Sequence, residues 1–282
     1  MDKKRTSLRL SATALRDYQF CGQYYRYRRV HRIQPTGKTP LYLATGTLLH
    51  HAYYYAHADP VQEGRRVGWK LTGKYDPDRA RKMFRALWLD TPEPLKGAEQ
   101  AEAHWTVLMA DKTPWRDIHI GTGQRKAQKD PDPDVRKAAW LDVYLEMLEA
   151  ALAVELPGKI VDIERRVEYD LGGIPFLGFI DLVCEVEGGE AYLDIKTGVN
   201  APNEAELPYN PQMQLYYLDG PEVIYLWHFK SGLHRIERNA PLIGSLERSA
   251  AMTVDMIEAG IFLPRSDSKC GECVFRAQCL GE

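Results

Sequence analysis

The sequence IPFLGFIDLVCEVEGGEAYLDIKTG, residues 174–198, holds two largely apolar runs joined by the turn EGGE. This pattern predicts two neighbouring β-strands connected by a tight turn. Residues i and i+2 of a strand share a face, so Asp194 and Lys196 are expected on one side and Ile195 on the other. Asp181 lies thirteen residues before Asp194, where the hairpin would bring it beside that carboxylate. The sequence therefore predicts two carboxylates and an ammonium group at one place on a sheet.

The flanking regions extend this hairpin into a larger fold. A further strand is predicted over 160–171, and a second hairpin over 222–229 and 233–238. Helices are predicted over 12–30 with Ser11 as N-cap, over 41–58, roughly over 203–219, and over 241–260. This order of elements indicates an α/β fold with a central mixed sheet flanked by helices.

Residues 57–157 differ in character from the rest of the chain. They are rich in tryptophan and charge, have largely helical patterns, and are interrupted by DTPEPLKG and QKDPDPD. We interpret them as a helical insertion or subdomain within a core formed by residues 1–56 and 158–282.

Composition and charge are those of an ordinary globular protein, with 44% apolar and 27% charged residues and a net charge of −2. Residues 1–40 carry ten basic and two acidic residues, a balance of +8, which leaves −10 for the remainder. This asymmetry fits either a surface that faces a polyanion or a solvated basic face. No apolar run approaches the ~20 residues of a membrane span, and no secretory signal is visible, so we expect a cytoplasmic protein without membrane contact.

Charges buried in a sheet are unfavourable unless they bind a cation or one another. Mg²⁺ or Mn²⁺ is held by few protein oxygens, and Asp181, Asp194 and the backbone carbonyl of Ile195 would supply them. Lys196 would then orient or help deprotonate water and stabilise charge on a phosphate. The arrangement predicts metal-dependent phosphodiester hydrolysis.

The motifs GFIDLV and YLDIKTG resemble the PD-(D/E)XK nuclease superfamily, and within it the RecB-like branch. The resemblance implies a restriction-endonuclease-like core and a histidine ligand on an early helix, in the pattern G-T-x-x-H. Residues Gly46–His50 match that pattern, which makes His50 a further metal ligand; His51 points about 100° around the helix. Ile180 stands where the family name has proline.

The same branch places a Q-h-x-x-Y helix after the lysine. Gln212 and Tyr216 match it and share one helix face, with the implied role of contacting substrate phosphate or bracing the lysine. Gln214 with Tyr217 is an alternative register. Thr197, at the strand end, is placed to contact substrate.

The strand predicted over 160–171 carries two glutamates, Glu164 and Glu168. Either could approach the site from this strand, and we expect neither to do so.

Four of the five cysteines form a second constellation. Cys270, Cys273 and Cys279 give C-x2-C-x5-C, and Cys21 is the best candidate for a fourth ligand, since Cys184 lies within a predicted strand. Spacing does not decide between zinc and an iron–sulfur cluster. The pattern is similar to iron–sulfur nucleases, including AddB-type and CRISPR-associated adaptation nucleases, which implies a [4Fe-4S] cluster, with zinc as the alternative.

The sequence CGQYYRYRRVHR interleaves tyrosines and arginines, so it either stacks bases and pairs phosphates or forms an amphipathic helix with inward tyrosines. We expect a metal-dependent DNA nuclease, an exonuclease acting on ends or single strands in recombination, repair or phage DNA processing. The chain has no G-x4-G-K-[ST] motif, so a helicase, recombination or phage protein is its expected partner. The alternatives are a catalytically inactive DNA-binding or scaffolding subunit and a zinc-dependent binding module.

Overall fold

The computed structural model describes residues 6–35, 38–97, 99–198 and 200–281, which form a mixed α/β fold. The strands are β1 (Thr39–Pro40), β2 (Ala58–Glu63), β3 (Arg66–Leu71), β4 (Ile118–His119), β5 (Lys159–Leu171), β6 (Ile174–Val186), β7 (Gly189–Lys196), β8 (Val223–His228) and β9 (Gly232–Ile236). The helices are α1 (Ala12–Phe20), α2 (Gly22–Tyr25), α3 (Leu41–Tyr55), α4 (Pro77–Leu89), α5 (Glu99–Asp111), α6 (Pro133–Leu152), α7 (Pro211–Tyr216), α8 (Ala240–Glu258) and α9 (Arg276–Leu280).

The central sheet has five strands in the order β5-β6-β7-β8-β9. The β7–β8 pair is parallel and the other pairs are antiparallel, so the predicted mixed sheet is confirmed. Its parallel crossover runs through α7, which returns the chain to the same end of the sheet.

Helices cover both faces of this sheet. One apolar core contains α3, α4 and α6 together with strand residues such as Leu193, and the other contains α1, α7 and α8 with strand residues such as Tyr192. Leu193 and Tyr192 are adjacent in β7 and enter opposite cores, as the two-residue period of a strand requires. No helix in the described parts of the chain is long and apolar enough to cross a membrane.

Residues 57–157 contribute more than helices. Their helices α4 and α6 pack into the same core as α3, and the segment begins with a β-hairpin of β2 and β3 that the helical interpretation missed. Glu63 and Arg66 pair across a two-residue turn, in which Gly64 has a φ of +62°. Two-residue turns whose twist matches that of the strands require positive φ angles, and glycine adopts these most readily.

Two predicted helices are shorter than expected. Ser11 does cap α1, since its Oγ accepts a hydrogen bond from the Ala14 N–H at 3.1 Å, but the helix ends where Cys21 takes an extended conformation. The region 203–219 is a 3₁₀ segment followed by α7, because Asn210 caps a new helix with Pro211 in its first turn.

Candidate active site

The site lies where β6 and β7 separate. Their pairing ends at Leu182 and Leu193, one residue short of Asp181 and Asp194. Beyond that point the backbone N–H of Ile195 donates a hydrogen bond of 2.5 Å to Asp181 Oδ2. Because the N–H and C=O of one strand residue face the same neighbour, the Ile195 carbonyl is directed toward the same gap.

Glu164 of β5 also faces this gap. Its neighbours Ile163 and Arg165 pair with Leu182 and Ile180, which places Glu164 opposite Asp181. Glu164 has a φ of +54°, a conformation uncommon for any residue with a side chain. Strained backbone of this kind is concentrated at functional sites. Glu164 therefore lies at the site, although we expected it to remain outside.

The three closest ligand groups are those of His50, Glu164 and Asp181. Their ligating atoms all lie within 4.8 Å of one another, and within the described ranges no other set of three His, Cys, Asp or Glu side chains is as close. His50 Nδ1 is 3.9 Å from Asp181 Oδ1. The structure thus brings together two of the three predicted metal-binding side chains and adds Glu164.

Helix α3 positions the imidazole of His50. Burial, reinforced by the charge of Lys196, lowers the pKa of His50 to about 3, so the ring is neutral and keeps a lone pair for a metal. His51 points elsewhere, with its Nε2 3.3 Å from Asp111 Oδ2. Gly46 lets the helix approach β7 closely, because a Cβ there would lie 3.1 Å from Thr197 Oγ1.

Tyr54 links the histidine to the glutamate. It lies one helical turn after His50, is fully buried, and donates a hydrogen bond of 3.1 Å from its hydroxyl to Glu164 Oε1. The Tyr54 hydroxyl oxygen is also 3.4 Å from His50 Nδ1. Tyr54 therefore fixes the orientation of Glu164, through a contact between residues 110 positions apart that no local pattern indicates.

The surroundings of the site raise the pKa values of its carboxylates. Burial and the neighbouring Asp181 raise the pKa of Glu164 to about 7, and burial raises the pKa of Asp181 to about 6. Burial also raises the pKa of Asp194, although Lys196 opposes the shift. Facing carboxylates with raised pKa values indicate a place where positive charge is lacking.

Asp194 and Lys196 form an ion pair beside this group. The Asp194 side chain is 4% exposed and that of Lys196 is 41% exposed, so the carboxylate is buried while the ammonium reaches the surface. Burial alone would lower the pKa of Lys196, but the charges of Asp194 and Asp181 outweigh it and raise that pKa. Lys196 is therefore a stable, partly exposed cation beside the carboxylates of the site.

Helix α7 supports the ion pair from the other face of the sheet. Gln212 Nε2 donates hydrogen bonds to Asp194 Oδ1 at 3.0 Å and to Tyr216 Oη at 2.7 Å, and Tyr216 donates to the Phe179 carbonyl at 2.8 Å. Gly178 makes room for the Tyr216 ring, since a Cβ there would lie 2.8 Å from it. The pair predicted to contact substrate or lysine thus contacts an active-site carboxylate and the β6 backbone.

Gln214 and Tyr217, the residues of the alternative register, make structural contacts away from the site. Gln214 Nε2 donates to the carbonyls of Pro208 and Glu237, and the Tyr217 hydroxyl donates to the Ile236 carbonyl. Glu168, the other glutamate considered from the sequence, is paired with Arg9 and Arg166 and lies outside the group of three ligands.

The cysteines lie on a different surface, where the last segment meets the first helices. Cys21 Sγ accepts a hydrogen bond of 3.3 Å from the Arg265 N–H, and Cys270 Sγ donates one of 3.2 Å to the Arg265 carbonyl. Burial raises the pKa of Cys279, and the nearby thiols of Cys21, Cys273 and Cys270 raise it further. Cys184 is fully buried in the core, as expected.

The tyrosines near Cys21 face this segment. Tyr25 is buried, the Tyr24 ring contacts the Phe275 ring edge to face at 5.3 Å, and the Tyr27 hydroxyl donates to the Gln278 carbonyl at 3.2 Å. These contacts favour inward packing of the tyrosines over base stacking.

One family of known proteins matches the chain over nearly its whole length. None of the curated proteins matches the chain. The chain is similar to the protein in a solved structure titled "Crystal structure of SSO0001", with 19% identity over 52% of this chain and 72% of that one, at a TM-score of 0.28. Residues 9–280 match the family described as the PD-(D/E)XK nuclease superfamily, whose restriction-endonuclease-like fold has a central mixed sheet flanked by helices. The chain therefore belongs to the PD-(D/E)XK nuclease superfamily.

Proposed function

We propose that this chain is a metal-dependent DNA nuclease of the RecB-like branch, which removes nucleotides from DNA ends or single strands. The observation that supports the proposal is the group formed by His50, Asp181 and Glu164, with the Asp194–Lys196 ion pair beside it. Nucleases of this superfamily use divalent metals such as Mg²⁺ or Mn²⁺.

The donor groups fit such an ion. Ligand atoms about 2.1 Å from Mg²⁺ lie at most about 4.2 Å from one another, so the group within 4.8 Å needs only small side-chain movements to close. Its two carboxylates and neutral imidazole are hard or intermediate donors. We propose His50, Asp181 and Asp194 as ligands with the Ile195 carbonyl, and we add Glu164, because it belongs to the group within 4.8 Å whereas Asp194 lies beside that group.

A divalent ion bound there neutralises phosphate charge and lowers the pKa of water. The remaining chemistry belongs to the side chains. Lys196 places a cation beside the acidic groups, where it would stabilise negative charge on a phosphate. Gln212 holds Asp194, and Tyr54 holds Glu164, so the acidic groups are oriented before substrate arrives.

For the cysteine site we propose a [4Fe-4S] cluster on Cys21, Cys270, Cys273 and Cys279. The support is the C-x2-C-x5-C pattern with a distant fourth cysteine and the proximity of the Cys279 thiol to those of Cys21, Cys273 and Cys270. Such a cluster would join α1 to the last segment, and zinc is the alternative occupant.

The test is a time course with end-labelled single-stranded and duplex DNA in Mg²⁺ or Mn²⁺. We expect cleavage that chelation abolishes and that Lys196→Ala reduces about 100-fold or more. Lys129→Ala, which removes an exposed lysine of the 57–157 segment, is the control and should cleave like the parent.

Binding of DNA without cleavage under all metal conditions would contradict the proposal. That result would favour a catalytically inactive binding or scaffolding subunit instead.

A further inference from the structure

A cleft of about 810 Å³ opens beside the metal site. It lies between the β2–β3 hairpin and strands β5 and β6, and residues of α3 also line it. His50 and Glu164 line it together with Arg66 and Phe179. A volume of this size suits a ligand of one or a few nucleotides. Anything held in this cleft is adjacent to the proposed reaction centre.

Arg66 and Phe179 form a stacked pair within the cleft. The guanidinium carbon of Arg66 lies 3.7 Å from the centre of the Phe179 ring, so the two groups are in direct contact. Phe179 is half-buried and precedes the Ile180–Asp181 segment, whereas Arg66 is exposed. The aromatic ring thus supports a guanidinium group whose other side is open to the cleft.

Arg66 is not neutralised by an ion pair. Of the arginines in this cleft, Arg165 is paired with Asp162 and Glu190, and Arg166 is paired with Glu168. Among described residues, no carboxylate lies within 4.0 Å of the Arg66 guanidinium.

The acidic residue opposite Arg66 in the hairpin points away from it. Glu63 pairs with Arg66 in the register, but its carboxylate lies over Gly68 instead. Asp111 and Glu164 line the same cleft, and the charge of Arg66 favours the ionised form of both without a direct ion pair to either. The guanidinium group can therefore reach a ligand.

The hairpin is fixed relative to the metal site. The Trp69 ring of β3 contacts His51 and Tyr54 of α3, with ring centres 5.7 Å and 5.3 Å apart. Because α3 also carries His50, the distance between the hairpin and the imidazole is set by core packing. The stacked pair is held in place beside the metal ligands.

We propose that Arg66 and Phe179 form a nucleotide subsite in which an unpaired base of the substrate strand stacks on the guanidinium group while its backbone phosphate meets the positive charge. A base within a duplex already has neighbours on both faces, so this platform selects unpaired nucleotides. The inference rests on the proposed nuclease function and assigns to the hairpin of residues 58–71 the role of holding the strand next to the metal.

Binding to a short fluorescein-labelled oligothymidylate, followed by anisotropy without divalent metal, tests the subsite directly. We expect Arg66→Ala to weaken binding about tenfold. Arg66→Lys should weaken binding nearly as much, because lysine keeps the charge but lacks the planar guanidinium group on which a base stacks. Phe179→Leu should also weaken binding. Arg65→Ala, which removes the neighbouring exposed charge from the turn, should bind like the parent. The same proteins, assayed for cleavage with metal, should show the loss in KM more than in kcat.

Equal affinity of Arg66→Ala and Arg65→Ala would overturn the subsite, and parental affinity of Arg66→Lys would show that charge without stacking accounts for it. A parent protein that binds single strands through Arg66 but cleaves nothing would contradict the nuclease function and leave the subsite supported. Circular dichroism of each variant confirms that the fold is retained.

Discussion

The side-chain amide of Gln212 donates a hydrogen bond of 3.0 Å to Asp194 Oδ1, which joins the helix after the catalytic strand to a carboxylate of the site. Gln212→Ala removes this contact without opening a core cavity, so we expect cleavage to fall about tenfold with little change in thermal stability. Initial rates and thermal melts measure the two effects.

Gln214→Ala is the matched control, because this buried glutamine bonds to Pro208, Glu237 and Asn239 and makes none of the contacts at the site. It should lower the free energy of unfolding by about 2 kcal/mol and leave the rate of the folded protein intact. The reverse pattern would show that the alternative register serves the site.

Glu164 is expected to contribute to metal affinity. Glu164→Gln keeps the shape of the side chain and its contact with Tyr54 but removes the charge, so the affinity for Mn²⁺ should fall about 10-fold to 100-fold by calorimetric titration. Glu168→Gln, on the same strand but paired with Arg9 and Arg166, should bind Mn²⁺ as the parent does. Equal affinities in both variants would remove Glu164 from the metal site.

Stability should depend on pH and metal together. Burial raises the pKa of Glu164 from 4.5 to about 7 in the folded protein, so the folded state binds more protons than the unfolded state between these values. Without metal, stability is therefore greatest at low pH within this window and falls as pH rises toward 7.

A divalent ion replaces those protons, so the rise in Tm caused by Mn²⁺ should be larger at pH 8 than near pH 5.5. Thermal melts with and without Mn²⁺ at both pH values measure this difference. A metal effect independent of pH, or one retained in Asp181→Asn, would contradict the assignment.

The four cysteines of the proposed cluster should behave as one group. Replacing any of Cys21, Cys270, Cys273 or Cys279 by serine should remove iron and sulfide from the purified protein, abolish its brown colour and lower Tm. Cys184→Ala affects only core packing, so it should keep the colour and destabilise by about 1 kcal/mol. Zinc in place of iron in anaerobically purified parent protein would contradict the cluster.

Local patterns predict the strand positions of Asp181, Asp194 and Lys196. The turn between β6 and β7 and the two-residue period of a strand place these residues just beyond the last pair of the two strands, Leu182 and Leu193. Gln212 and Tyr216 were predicted as a pair, although their contacts with Asp194 and Phe179 depend on how α7 packs across the sheet.

Other features depend on contacts between distant residues and could not be predicted. Glu164 reaches the site through a left-handed backbone conformation and the register of β5 against β6, neither of which its neighbours in sequence indicate. The β2–β3 hairpin has only a short turn and irregular alternation, so helical patterns around it obscured it. Its role beside the cleft arises from packing of Trp69 on α3.

The contact between Tyr27 and Gln278 joins residues that are 251 positions apart. A ribosome releases the first of them long before it has made the second, so the tyrosines of the early helices emerge without the surface they pack against. While the intervening residues are made, this aromatic, positively charged segment has to remain soluble by itself or with the help of a chaperone. Its docking consequently has to await synthesis of the segment around Gln278.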